Sequence, residues 1–171
     1  MLDKFASITC FVFDVDGVLT DSTVLVLENG LQARRMNIKD GFALQLAQKK
    51  GYHIRIISGG QSEEVRNRLE KLGVTDVHMA VADKKMLLED FMIEKGLKRE
   101  QVLYMGDDLP DLPAMKVVGL PCCPADAVAE IREHAIYIST YRGGEACVRD
   151  VIEKVMRLRG DWEYTTEVKS S

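Results

Sequence analysis

The chain has 171 residues, 46% of them apolar and 29% charged, the balance of a globular protein able to bury a core. Its 27 acidic and 23 basic residues leave a net charge of −4, without the basic excess or basic stripe of a nucleic-acid or anionic-membrane binder. No apolar run approaches the roughly 18 to 20 residues that span a bilayer. The opening Met1-Leu2-Asp3-Lys4-Phe5 lacks the basic segment and apolar core of a signal peptide.

In chain order, a first strand is expected over residues 8–13, ending abruptly at Asp14. Residues 23–28 and 32–37 read as a hairpin around Asn29-Gly30. Val24, Val26, Leu31 and Met36 are apolar on a piece too small for its own core. The hairpin, residues 23–37, is therefore expected to pack on the main sheet or to be covered by another subunit. Further strand-like runs occupy 54–57, 77–80, 102–105, 117–120 and 136–138. Between them apolar residues recur at helical steps, as in Val65, Leu69, Leu72, then Leu87, Leu88, Phe91, Met92, and last Val148, Ile152, Val155, Met156. Three helices are expected to end in glycine, at Gly51, Gly73 and Gly96. Repeated strand–helix–strand units imply right-handed crossovers and a parallel sheet covered on both faces. The expected fold is a doubly wound α/β domain over 1–171, with a mobile polar tail from 160 onward. Cys10, Cys122, Cys123 and Cys147 follow neither metal nor disulfide spacing, so reduced thiols in a cytoplasmic protein are expected.

The strongest chemical signal follows the first strand: Asp14-Val15-Asp16-Gly17-Val18-Leu19-Thr20-Asp21. Ligands of an open parallel sheet sit beyond the carboxyl ends of its strands, which places Asp14 and Asp16 in the functional crevice. Two carboxylates so close repel each other unless a cation lies between them or one holds a proton. Alone, this pattern is more often turn chemistry. Ser58-Gly59-Gly60 offers a hydroxyl and free N–H groups at an expected helix start, suited to a phosphate oxygen. Taken alone, a plain N-cap is the better account of it. Asp83-Lys84-Lys85 follows the next strand, where a lysine is ordinarily a solvated helix residue. Gly106-Asp107-Asp108-Leu109-Pro110-Asp111 is an acidic helix start and also a hard-oxygen set fit for Mg²⁺. Each piece has an ordinary structural explanation; their order at the ends of four strands does not.

That order resembles the haloacid dehalogenase superfamily of phosphohydrolases, whose four motifs match between residues 14 and 111. The resemblance casts Asp14 as the nucleophile that forms an aspartyl-phosphate. Asp16 would protonate the leaving alkoxide and then deprotonate the attacking water. Mg²⁺ would be held by Asp14, the main-chain carbonyl of Asp16, and Asp107. Ser58 and Lys84 would grip the phosphoryl oxygens, Asp111 would orient the lysine or a metal-bound water, and Asp108 would support the metal shell. These roles meet what phosphoryl transfer needs: placement, neutralised equatorial charge and a divided barrier. An acid at position 16 also argues against halide displacement, which has no alkoxide to protonate. Only 44 residues separate Asp14 from Ser58 and 26 separate Ser58 from Lys84, too few for an inserted cap domain. A capless site is open to water unless a macromolecular substrate or a neighbouring subunit covers it, and the apolar hairpin favours the subunit.

Over its whole length the chain is similar to the 3-deoxy-D-manno-octulosonate 8-phosphate (KDO 8-phosphate) phosphatase family of lipopolysaccharide sugar synthesis. The likeness is carried by Phe13 to Asp21, by Gly106 to Asp111, and by Arg142-Gly143-Gly144-Glu145-Ala146. It implies a homotetramer whose hairpins meet and whose adjacent subunit helps close each site. Sister enzymes cleave the 9-phosphates of nine-carbon sugar acids, KDN and N-acetylneuraminate, so that substrate class stands as the alternative. A sugar acid also needs a basic clamp. Arg66, Arg68 and Lys71 lie on the helix after Ser58, Arg142 and Arg149 flank the glycine pair, and Arg68 matches a family position near the substrate. Gly59, Gly60, Arg68, Lys71 and Arg142 are the expected substrate contacts. Gly60 departs from the family, which often carries Arg there in octulosonate enzymes and Glu in nonulosonate ones. A receiver-like regulatory module is the rival from another class, but its acidic pair and phosphorylated Asp lie on different strands. His53, His78 and His134 have no ligand spacing, and the eight methionines are read as core filler.

Overall fold

The computed structural model describes residues 1–163; the expectation for the tail beyond them lies outside the described residues. In chain order the elements are α1 (Leu2–Ala6), β1 (Cys10–Phe13), β2 (Leu25–Val26), β3 (Gln32–Ala33), α2 (Ile38–Lys49) and β4 (His53–Ile57). There follow α3 (Glu63–Lys71), β5 (Val77–His78), α4 (Lys84–Lys95), β6 (Val102–Met105) and α5 (Leu112–Met115). The last are β7 (Leu120–Cys123), α6 (Ala129–His134), β8 (Tyr137–Ile138) and α7 (Cys147–Arg159). Among the described residues, six strands form one parallel sheet in the order β5-β4-β1-β6-β7-β8, and β2 pairs with β3 apart from it. The chain winds outward from β1 through β4 and β5, then crosses back to β6, β7 and β8. That reversal opens a crevice beyond the carboxyl ends of β1, β4 and β6.

Alternation along the strands builds a core on each face. Phe11, Phe13, Ile56, Leu103 and Met105 pack toward α2, α3 and α7, meeting Leu44, Leu69 and Val155. Cys10, Val12, Ile57, Val102 and Tyr104 pack toward α4, α5 and α6, meeting Leu88, Met115 and Ile131. Burial on both faces explains why these strands read as continuous apolar runs. Gly96 ends α4 in the left-handed conformation at φ +62°, and Gly51 and Gly73 do the same beyond α2 and α3. No helix of the described residues is long and apolar enough to cross a membrane.

Three expectations are corrected. The strand expected over 117–120 is β7 at Leu120–Cys123, and it contains Pro121. A residue in a parallel strand turns its N–H and C=O to the same neighbour, and the Pro121 carbonyl accepts the Ile136 N–H at 2.8 Å. Its missing donor therefore faces the two-residue edge strand β8, where the loss is tolerated. Helix α3 begins at Glu63, with the Ser62 hydroxyl accepting the Val65 N–H, so Ser58 lies in a loop rather than at a helix start. The hairpin strands are only two residues each and stand off the main sheet, with Leu25 and Val26 66% and 67% exposed. The five residues 27–31 join them: the Gly30 N–H donates to the Leu27 carbonyl and the Leu27 N–H to that of Leu31.

Candidate active site

Phe13 pairs with Ile56 on one side and Met105 on the other, so Asp14 emerges between the loops that follow β4 and β6. The Asp14 N–H still donates to Met105 at 3.1 Å, and Asp14 Oδ1 accepts the Val15 N–H at 2.7 Å. The chain then makes one wide turn, closed by the Thr20 N–H on the Val15 carbonyl at 3.0 Å. Gly17 sits inside it at φ +89°, and a Cβ there would lie 1.9 Å from Asp107 Oδ2. Backbone and space both demand glycine. Gly143 backs the turn so closely that its own Cβ would lie 1.9 Å from the Gly17 carbonyl oxygen, and the Gly144 N–H donates to Val18 at 3.0 Å.

Lys84 opens α4 and turns inward rather than to solvent. Its Nζ lies 3.0 Å from Asp14 Oδ1 and 2.8 Å from Asp111 Oδ1. Asp111 is fully buried and its acceptors are filled: Oδ1 takes Lys84 and the Tyr104 hydroxyl at 2.7 Å, and Oδ2 takes the N–H groups of Asp107 at 3.0 Å and Asp108 at 3.4 Å. One carboxylate thus fixes both the lysine and the loop bearing Asp107. Burial, with the Asp111 charge behind it, pushes the Asp14 carboxyl up to about 8 against the pull of Lys84. The same two causes push Asp107 up to about 7. Burial works against the Lys84 ammonium, but Asp14 and Asp111 outweigh it and raise its pKa.

Asp14, Asp107 and Asp111 each bring one carboxylate oxygen within 4.8 Å of the others. Asp111 has little left to offer, whereas Asp107 Oδ1 is buried with no partner among the described residues. An orphaned buried oxygen is costly. Ionising all three carboxylates beside one ammonium would leave a charge of −2 at this point, the repulsion that raises Asp14 and Asp107. Both observations fit a divalent cation, and oxygen-only donors select Mg²⁺ over softer metals. Ser22 Oγ steadies Asp107 by donating to Oδ2 at 3.2 Å. The Asp16 carboxylate is outside this group: its Oδ1 accepts Arg34 Nε at 2.6 Å and its Oδ2 accepts Nη2 at 3.4 Å. Ser58 is buried, and its Oγ accepts the Gly60 N–H at 3.1 Å. A Cβ on Gly60 would lie 2.9 Å from Asp16 Oδ2 and 3.6 Å from Ser58 Oγ, so the serine and the second aspartate flank one point.

A family profile described as haloacid dehalogenase-like hydrolase matches residues 75–149. The 3-deoxy-D-manno-octulosonate 8-phosphate phosphatase of Escherichia coli K12 is 31% identical over 160 residues, spanning 94% of this chain and 85% of that protein. This chain belongs to the haloacid dehalogenase-like hydrolases. A solved 3-deoxy-D-manno-octulosonate 8-phosphate phosphatase from Moraxella catarrhalis, in complex with magnesium, phosphate and a KDO molecule, superposes with a TM-score of 0.90. It is 29% identical and covers 94% of this chain and 92% of its own. A probable phosphatase from Pseudomonas syringae also gives 0.90, at 36% identity over 94% and 92% of the two chains.

The remaining expected contacts of this hydrolase fall in different places. Arg68 lies against α2, with Nη2 3.2 Å from where a Gly41 Cβ would stand. It shares a cavity of about 680 Å³ between hairpin and α3 with Arg34, Gln61 and Ser62. Lys71 is exposed in the last turn of α3, roughly 13 Å along the axis from Ser62 at 1.5 Å per residue, and is not brought to the site. Arg66 fastens α3 to β5 through the Val77 carbonyl at 2.8 Å. Arg142 is exposed beside Asp126 at 3.6 Å, and Arg149 pairs with Glu153 at 3.0 Å. Gly59 is open, a Cβ there meeting only the Val81 carbonyl at 3.9 Å. Asp108 is exposed and caps its own turn, Oδ1 accepting the Leu109 N–H at 2.7 Å. Sequence reasoning missed Arg34, Tyr104 and Ser22. The Arg34-Arg35 pair at the foot of an apolar hairpin was the one available signal.

Proposed function

We propose that this hydrolase removes the phosphate from KDO 8-phosphate, releasing the free sugar acid and inorganic phosphate in a cytoplasmic step of lipopolysaccharide sugar synthesis. The observation that supports it most is the Lys84 ammonium held between Asp14 and Asp111, in a chain of which 94% aligns with a phosphatase named for that reaction. An Asp14 oxygen bonds to phosphorus as the P–O bond to the sugar breaks, and Asp16 gives its proton to the departing alkoxide. Asp16 then takes a proton from the water that attacks the aspartyl-phosphate, which restores Asp14 and frees phosphate. Lys84 and Ser58 bind the equatorial oxygens, the lysine supplying positive charge where negative charge is spread. Asp14, Asp107 and the Asp16 carbonyl would hold Mg²⁺, with Asp108 outside them; when bound, the ion neutralises charge between carboxylate and phosphoryl group.

The hairpin whose foot reaches Asp16 exposes Leu25, Val26 and Leu31. A homotetramer joined through the hairpins, with a neighbouring subunit closing each site, buries that surface and excludes water. A kinetic panel with Mg²⁺ tests the substrate. The eight-carbon acid 8-phosphate should exceed the KDN and N-acetylneuraminate 9-phosphates in kcat/KM. Preference for a nine-carbon ester, or equal efficiency on all three, would overturn the assignment.

A further inference from the structure

Arg34 follows β3 at the foot of an exposed hairpin, yet its side chain is only 7% exposed. A buried guanidinium needs a carboxylate partner, and Asp16 supplies both oxygens. The planar fork fixes the plane of that carboxylate as well as its position, which an ammonium cannot do. Held this way, Asp16 Oδ2 faces the Gly60 backbone. A Cβ at residue 60 would come within 2.9 Å of that oxygen and 3.6 Å of Arg34 Nη2. Residue 60 has no side chain to steady Asp16, and the arginine reaching in from the hairpin takes that place. The same foot is fastened twice more to the nucleophile loop. Arg35 Nη2 lies 2.9 Å from Asp21 Oδ2, and Met36 bridges to Thr20.

We infer that Arg34 is a positioning residue that fixes the plane of the Asp16 carboxyl group beside the leaving oxygen, the proton that Asp16 hands on being taken up from solvent before the P–O bond breaks and regained from the attacking water. The seating of the hairpin thereby sets the rate on esters with poor leaving groups. The inference rests on the phosphatase reading of the same site. A sugar alkoxide needs that proton to depart, whereas p-nitrophenolate, a far weaker base, leaves without it. Loss of Arg34 therefore acts unequally on the two kinds of ester.

The experiment measures kcat and KM for the full-length protein and its Arg34→Ala, Arg34→Gln and Arg34→Lys variants with Mg²⁺, on KDO 8-phosphate and on p-nitrophenyl phosphate. Ala and Gln should lower kcat on the sugar ester at least about tenfold and on the aryl ester by less than about threefold, since general-acid help is what they remove. KM should change little, and Lys should regain part of the loss. An equal loss on both esters would make Arg34 merely structural. A raised KM for the sugar acid with kcat intact would make it a substrate anchor. Either result overturns the inference. Gly60→Ala, whose Cβ intrudes on Asp16 Oδ2, should reproduce the unequal loss and keeps the test open should the Arg34 variants misfold. Absence of phosphate release from both esters by the unaltered protein would instead overturn the phosphatase reading, and this inference with it.

Discussion

The Lys84 ammonium lies 2.8 Å from Asp111 Oδ1, with the aspartate fully buried and the lysine 5% exposed. Asp111 also holds the Tyr104 hydroxyl and the Asp107 N–H. Asp111→Ala would strand all three and leave Lys84 with Asp14 alone. Breaking one side of such a buried pair costs about 3–5 kcal/mol, so a shift of that size in urea unfolding is expected. A change below about 1 kcal/mol would mean that the pair is not formed.

Gly17→Ala meets two obstacles at once, a φ of +89° and the Asp107 carboxylate 1.9 Å from the new Cβ. The backbone obstacle alone exceeds about 1 kcal/mol where the native φ is positive. Displacing Asp107 should also weaken Mg²⁺ binding, read by calorimetric titration of the folded variant. Unchanged affinity would remove Asp107 from the metal's ligands.

Much of this was legible in the sequence, for physical reasons. The buried strands announced themselves because both faces are apolar, and Asp14, Ser58, Lys84 and Asp107 stand out because each follows such a run. β7 was misplaced because Pro121 looks like a breaker until the short neighbour β8 is known. Ser58 looked like a cap because the three residues between it and the true cap, Ser62, carry no mark of loop length. The Arg34–Asp16 pair was invisible because it joins a hairpin foot to a turn 18 residues earlier, a contact set by tertiary packing. Asp40 was hidden likewise: it lies on α2, but its Oδ1 accepts the Arg149 N–H of α7 at 2.8 Å.

Stability should depend on pH with an unusual sign. Burial pushes Asp40 up to about 7, as it does Asp107, and Asp14 up to about 8. Unfolded carboxyls titrate near about 4. Between these values the folded protein holds protons that the unfolded chain has released, so metal-free stability should fall as pH rises from about 4 to about 8. A cation at Asp14 and Asp107 reverses their share. Mg²⁺ should therefore raise the melting temperature more at pH about 8 than at pH about 5, and an equal shift would contradict the site. Asp40→Asn keeps an acceptor for Arg149 and should flatten only its own part of the slope.

The hairpin bears on assembly. Leu25 and Val26 are two-thirds exposed on a two-stranded piece with no core of its own. On the proposed assembly, the unaltered protein should sediment as a tetramer, and Leu25→Glu together with Val26→Glu should shift it toward a monomer and lower kcat/KM on the sugar ester. A fully active monomer in the unaltered protein would exclude a shared site.

Covalent capture reaches the chemistry most directly. The protein is mixed with KDO 8-phosphate and Mg²⁺, quenched in acid within a turnover, digested and mapped by mass spectrometry. The expected result is a phosphoryl group on the peptide containing Asp14, absent from Asp14→Asn. Phosphate release with no adduct, or an adduct on any other residue, would contradict Asp14 as the nucleophile.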